Sequence, residues 1–307
     1  MRRLFFVLTV QTIVGGACVL GEPAAAADQP PRLLQVSEAI WTGGQPSGLK
    51  AFQYLAAQGV RTVICVDGAI PDVASARAAG LETVHIPMRY DKVSAPILQS
   101  IVKVLREKSG PWFFHCHHGT HRGPTAAALA LRERTGCGAE EAARVLEKAG
   151  TNPGYLGLWQ AVADFQSPTD ISAAPALVEV ARVADFTAAM ARIDRIWDRV
   201  EDCRKEDWEI PRNHPDIDPA RETLILLEAF EGLQVPGVGP AADDPAFSRA
   251  LDQVRQRARI LHAAVLKGDR EKADAEFRSV KRACLSCHRT WREAPVRLKS
   301  STRGNPL

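Results

Sequence analysis

The stretch Pro111-Trp112-Phe113-Phe114-His115-Cys116-His117-His118-Gly119-Thr120-His121-Arg122-Gly123 decides how the first half of the chain is read. Pro111 to His115 form a short aromatic run, the mark of a buried strand. The residues from Gly123 onward (GPTAAALALRERT) have helical composition. The loop between them is Cys-x5-Arg. A loop that leaves a strand and enters a helix N-terminus aims successive backbone N–H groups at one point, which suits an anion. The helix end and Arg122 favour a nucleophilic thiolate at Cys116. The planar fork of Arg122 matches two oxygens of a tetrahedral anion. Gly119 permits a turn that other residues resist.

Working outward, two more β-branched runs stand before this one, Arg61–Val66 (RTVICV) and Glu82–Met88 (ETVHIPM). Helical patterns lie between them at 48–58, 72–79 and 95–107, and after the loop at 123–135, 139–149 and 156–166. Ser94 caps the third, with Ile97, Ile101, Val104 and Leu105 following at helical spacing. Alternating strands and helices predict an α/β domain over residues 28–166, with a mainly parallel sheet flanked by helices.

On these residues the first half resembles the protein tyrosine and dual-specificity phosphatase superfamily, whose signature is His-Cys-x5-Arg. Trp41-Thr-Gly-Gly-Gln-Pro46 is similar to the start of bacterial members. The resemblance implies a phosphorylated or other anionic substrate and a cysteinyl-phosphate formed on Cys116. His117, His118, Gly119, Thr120, His121 and Arg122 would then form the phosphate loop. It also implies a loop aspartate as general acid. Asp91, in Pro87-Met-Arg-Tyr-Asp91, is the candidate, ahead of Asp67 and Asp72. The family usually has Ser or Thr after the arginine, where its hydroxyl helps the thiolate leave. Here Gly123 stands there, so slow hydrolysis is expected unless Thr125 substitutes. The three loop histidines are unusual, but the neighbouring sequence implies no carboxylate to complete a metal site with them. Cys65 reads as a core residue or as a thiol that pairs reversibly with Cys116.

Residues 167–175 (SPTDISAAP) read as a linker, and the β pattern stops there. Four helical stretches follow at 176–206, 219–233, 245–267 and 269–293. Asp218-Pro219 and Asp244-Pro245 pair an N-cap with proline at the first helical position. Apolar residues recur at helical spacing, as in Leu251, Val254, Ala258, Leu261 and Val265. A four-helix bundle over 176–297 is expected, with a tail at 298–307. Near its end stands Cys284-Leu-Ser-Cys287-His288, a C-x-x-C-H motif. Covalent haem attachment needs two thiols spaced for two vinyl groups and a histidine beside the second thiol for the iron. A zinc half-site would need further ligands, and Cys203, His214 and His262 have unhelpful spacing. The segment from Phe247 to Arg292 resembles the last two helices of the cytochrome c-prime family. The resemblance implies one covalent haem c on Cys284 and Cys287, His288 as axial iron ligand, and the first bundle helix as the distal wall. Met190 on that helix is a candidate sixth ligand or a core residue.

The N-terminus carries Arg2-Arg3, the apolar run Leu4–Val14 and the small-residue run Ala24–Ala27, which reads as a cleaved signal peptide over 1–27. Cys18 raises a lipoprotein alternative that Gly15 opposes. The expected product is periplasmic, with no membrane span in the mature chain. A net charge of +3 over 307 residues gives no reason to expect nucleic acid as a partner. Three functions compete. One is a cysteine phosphatase with a haem domain for electron transfer or sensing, together with a redox partner protein. The second is a sulfur-transfer or sulfur-oxidation protein using Cys116. The third is a haem electron carrier whose α/β domain docks an anion.

Overall fold

The computed structural model describes residues 28–183, 185–212, 214–233 and 244–292. The expected signal segment with Cys18, and the tail at 298–307, lie outside the described residues.

Residues 28–163 form a mixed five-stranded sheet flanked by helices. The elements run β1 (Leu34–Gln35), β2 (Ile40–Gly43), α1 (Gly48–Ala57), β3 (Thr62–Cys65), α2 (Val73–Ala78), β4 (Glu82–His85), α3 (Ala95–Glu107), β5 (Trp112–His115), α4 (Arg122–Thr135), α5 (Ala139–Ala149) and α6 (Leu156–Ala163). The sheet order is β1-β2-β5-β3-β4. β5 lies between β2 and β3 and is parallel to both, β3 and β4 are parallel, and the short β1 alone is antiparallel to its neighbour. Every residue of β3 and β5 is buried, as expected for parallel strands covered on both faces. Phe113 and Phe114 are fully buried on opposite faces, each contributing about 1.5–3 kcal/mol. β1 and β2 were not expected from the sequence. Two and four residues long, they contain too little alternation to register, and β2 ends in the Gly-Gly pair.

α4 is buried over its first ten residues. Its alanines let it lie flat against the sheet and between α3, α5 and α6. That is why it carries no sharp amphipathic pattern.

The second half holds α7 (Asp185–Lys205), α8 (Pro219–Glu231), α9 (Pro245–Leu266) and α10 (Arg270–Trp291). Asp218, Asp244 and Asp269 each accept a hydrogen bond from a first-turn amide, as the Asp-Pro and Gly-Asp signals imply. The four helices share one core that includes Ile196, Val200, Leu226, Phe230, Leu261 and Phe277. The expected first helix over 176–206 is corrected at its start. Residues 176–183 are not helical, and Val178 O accepts from the His85 amide (2.9 Å) beside β4. His85 Nδ1 accepts from the Ala181 amide (3.1 Å), and Glu179 pairs with Arg77 (2.8 Å). Edge groups of the α/β half thus hold this segment out of a helix, overriding its local helical composition. Among the described residues, no helix is long and apolar enough to cross a membrane.

Candidate active site

In an open parallel sheet, the carboxyl ends of the strands form a crevice where connections diverge. Here β2 delivers Gly44 and Gln45 to that edge, β3 delivers Asp67, β4 leads to Tyr90, and β5 delivers Cys116. The loop from Cys116 runs straight into α4, whose first residue is Arg122.

The loop is held from behind by the end of β2 and the two residues after it. Thr42 Oγ1 donates to Phe114 O (2.8 Å) and the Gln45 amide donates to His117 O (2.9 Å). Gly119 has φ +71°, and a Cβ there would collide with the backbone of Gly43 and Gly44. Gly119 is therefore needed for the two backbones to meet, and a Cβ on Gly44 would itself lie 3.2 Å from His117 O. Arg32 adds a bond to His118 O (3.0 Å).

Cys116 and Arg122 are both buried. The Arg122 guanidinium pairs with Asp67 Oδ1 (3.2 Å) and lies over the Tyr90 ring (4.5 Å). Burial works to discharge Arg122, but Tyr90, Asp67 and Cys116 outweigh it and hold its pKa above the usual value. Burial likewise pushes the Asp67 carboxyl up, yet Arg122 and then Arg195 hold it well below the ordinary carboxylate range. Asp67 is therefore an ionised anchor for Arg122, not a proton donor. Sequence reasoning gave it second place as an acid and missed this anchoring role. The signal was its position just past β3.

Asp91 sits in the segment after β4, and both its oxygens accept from Arg89 (2.8 and 3.0 Å). Its neighbour Tyr90 reaches the loop instead. Thr125 Oγ1 donates to His121 O (2.9 Å), so its hydroxyl proton is engaged one turn back in α4. The glycine at 123 has a steric reason: a Cβ there would lie 3.1 Å from the Cys116 amide nitrogen and 3.2 Å from His115 carbons. His115 is buried and stacked on Phe113, and burial pushes it down to about 4. His121 is also pushed down to about 4, by burial and then by Arg292 and Arg122. Cys65 is buried in β3 opposite His115, and burial, then Asp67, pushes its thiol up to about 12. Cys65 and Cys116 are both free thiols.

The helical half covers this edge of the sheet. On α7, Arg195 bonds Asp67 Oδ2 (3.2 Å) and Gln45. Asp198 bonds His117 Nε2 (2.7 Å) and Asp194 lies 3.4 Å from His118 Nε2. Arg292, just past α10, bonds the Tyr155 hydroxyl and lies over the Tyr90 ring (4.2 Å). None of these partners was visible in the sequence, because each is separated by more than 75 residues from the group it meets.

Cys284, Cys287 and His288 lie on consecutive turns of α10. Both thiols are free, and burial pushes Cys284 up to about 12 and raises Cys287 too. Burial, then Arg292, pushes His288 down to about 4, against the opposing charge of Asp194. Two thiols at i and i+3 and an imidazole at i+4 on one helix are a donor set that fits a thioether-bound haem. Met190 packs against the helical core.

No protein-family model and no curated protein matches the chain. Solved structures similar to it include the core catalytic domain of the PP-IP phosphatase SIW14 from S. cerevisiae in complex with citrate. That match has 13% identity over 47% of this chain and 90% of that one, with a TM-score of 0.40. P. aeruginosa TpbA in complex with pTyr is another, with 18% identity over 47% of this chain and 84% of that one, at a TM-score of 0.37. Tk-PTP in its active form has 14% identity over 44% of this chain and 97% of that one, at a TM-score of 0.33.

Proposed function

We propose that this chain is an exported, periplasmic protein in which a Cys116-dependent phosphatase is joined to a c-type haem domain of the cytochrome c-prime kind. The observation that carries the phosphatase reading is the pairing of Cys116 at the end of β5 with Arg122 at the first turn of α4. Arg122 is buried and aimed by Asp67. Cys116 Sγ attacks phosphorus of a phosphorylated substrate, forming a cysteinyl-phosphate while the leaving oxygen takes a proton. The amides of residues 117–122 and the Arg122 fork stabilise the charge on the equatorial oxygens. Asp91 is the proton donor in this reading once it exchanges Arg89 for substrate, and it then activates water for the second step. Thr125 contributes little to that step while His121 O holds its proton.

In the haem domain, Cys284 and Cys287 would hold the haem through thioethers and His288 would ligate the iron. When bound, the haem supplies one-electron chemistry, for transfer to a redox partner or for sensing. Two apolar cores support two domains, over 28–166 and 176–297 in this reading, although Leu177 packs against the core of the first.

The second reading is sulfur transfer at Cys116. Thiolate attack on thiosulfate yields a cysteine persulfide and releases sulfite, with no proton donor required. The engagement of Asp91 by Arg89 and of Thr125 by His121 favours it. The deciding experiment assays wild type and Cys116→Ser in parallel with a small aryl phosphate and with thiosulfate. Cys116-dependent phosphate release supports the phosphatase. Sulfite release without phosphatase activity replaces it with sulfur transfer, and neither activity leaves an anion-docking haem carrier. Haem attachment is tested separately, by haem staining of the denatured chain, which Cys284→Ser with Cys287→Ser must abolish.

A further inference from the structure

The loop histidines lacked a carboxylate in the sequence, and the fold supplies two. Asp194 and Asp198 stand four residues apart on α7, hence on one face of the helix, and that face meets the Cys116 loop. Donor atoms of His117, His118 and Asp198 all lie within 4.8 Å of one another, and Asp194 stands beside that group through His118. Asp198 bonds His117 Nε2 at 2.7 Å, and Asp194 lies 3.4 Å from His118 Nε2. The two imidazoles are tilted against each other with centroids 4.4 Å apart.

We infer that His117, His118 and Asp198, with Asp194 as fourth donor, form a divalent-metal site that ties the Cys116 loop to α7. Metal–nitrogen and metal–oxygen bonds of about 2.0–2.1 Å in tetrahedral geometry put neighbouring donors about 3.4 Å apart. The His118–Asp194 spacing already has that value, and the His117–Asp198 pair must open by less than about 1 Å. Two imidazoles and two carboxylates suit a borderline ion of the zinc class and not the hard, all-oxygen ions magnesium and calcium. Two carboxylate charges also neutralise a dication. Arg32 and Arg195 stand nearby but are engaged elsewhere, Arg32 with His118 O and Arg195 with Asp67 and Gln45. Asp194 is drawn from its usual state mainly by opposing effects, burial raising its pKa and the His118 bond lowering it below the ordinary value.

The test titrates the full haem-loaded chain, first stripped with chelator, with Zn²⁺ alone and counts bound zinc by elemental analysis beside iron. One zinc per chain is expected. Asp198→Asn and His118→Gln should each weaken binding at least tenfold, and Asp198→His, which keeps a donor, should retain it. Cys284→Ser with Cys287→Ser should leave the zinc in place, so that the haem motif is not its source. Circular dichroism checks that each variant is folded. No stoichiometric zinc, or zinc indifferent to Asp198→Asn in a folded chain, overturns the site. Because the readout is metal content, it stands or falls apart from the chemistry assigned to Cys116.

Discussion

Replacing Asp67 by Asn tests the claim that this carboxylate, not a proton donor, organises the Cys116 loop. Asp67 is almost fully buried and holds two guanidinium groups at 3.2 Å each, Arg122 and Arg195. Asparagine keeps the shape but removes the charge. Breaking a buried pair by removing one partner costs about 3–5 kcal/mol, because the surviving charge is left uncompensated. Two features reduce that cost. Arg122 retains the Tyr90 ring at 4.5 Å, a cation–π contact worth roughly 1–2 kcal/mol when desolvated. The Arg195 side chain is 22% exposed and recovers some solvation. The expected loss is about 3 kcal/mol, roughly a hundredfold in the folding equilibrium. Arg195→Ala leaves Asp67 paired with Arg122 and should cost less, about 1–2 kcal/mol. Hydrogen exchange in the full chain, read at the amides of β3 and β5, reports opening of this core alone. Asp67 adds an acid-side signature. Its pKa is held below the ordinary 3.8, so its contribution is present above that value and is lost as pH falls through the folded pKa. The Asn variant should lack that loss. A change in protection below about 1 kcal/mol, or Arg195→Ala costing more than Asp67→Asn, would refute the anchoring argument.

Three further outcomes follow from the same contacts. Gly119→Ala adds a Cβ at positive φ against the backbone of Gly43 and Gly44, so it should destabilise by about 2–4 kcal/mol and abolish Cys116-dependent activity; a chain that tolerates it in both assays contradicts the packing. Gly123→Ser should lower, not raise, Cys116-dependent turnover, because the added Cβ sits 3.1 Å from the Cys116 amide; faster breakdown of a trapped phosphoenzyme would show that the missing hydroxyl matters more than the fit. His121 is held down to about 4 while the unfolded chain protonates near 6.5, so its linkage lowers stability as pH falls between those values. Arg292→Ala should raise the His121 pKa toward its ordinary value in an NMR titration, and an unchanged titration would mean that Arg292 does not reach the loop.

The local chemistry was legible in the sequence because it is written at short range. The strand, loop and helix of residues 111–135 are contiguous, and so are Cys284, Cys287 and His288 on one helix. The boundaries of α3 and α5 followed from composition and periodicity, and those of α8 to α10 from their aspartate caps as well, to within one or two residues; Ser94 precedes α3 without a side-chain cap bond. β1 and β2 were too short to announce themselves. Residues 176–183 read as helix because the composition allowed it, while His85 and Arg77, about a hundred residues earlier, hold them in an irregular segment.

What the sequence determined by itself was therefore the pair of chemical motifs and the layered α/β arrangement that places Cys116 at a strand end. Tertiary structure alone decided what surrounds that cysteine. Asp67 became the partner of Arg122 because parallel strands bring their carboxyl ends to one edge. Asp194, Asp198 and Arg195 reached the same edge because α7 packs across it, bringing residues about 80 to 150 positions away in sequence into hydrogen-bonding range. Spacing along a chain reports groups that share a strand or a helix face. It carries no record of which distant face will cover them, because that depends on how two separately formed cores dock.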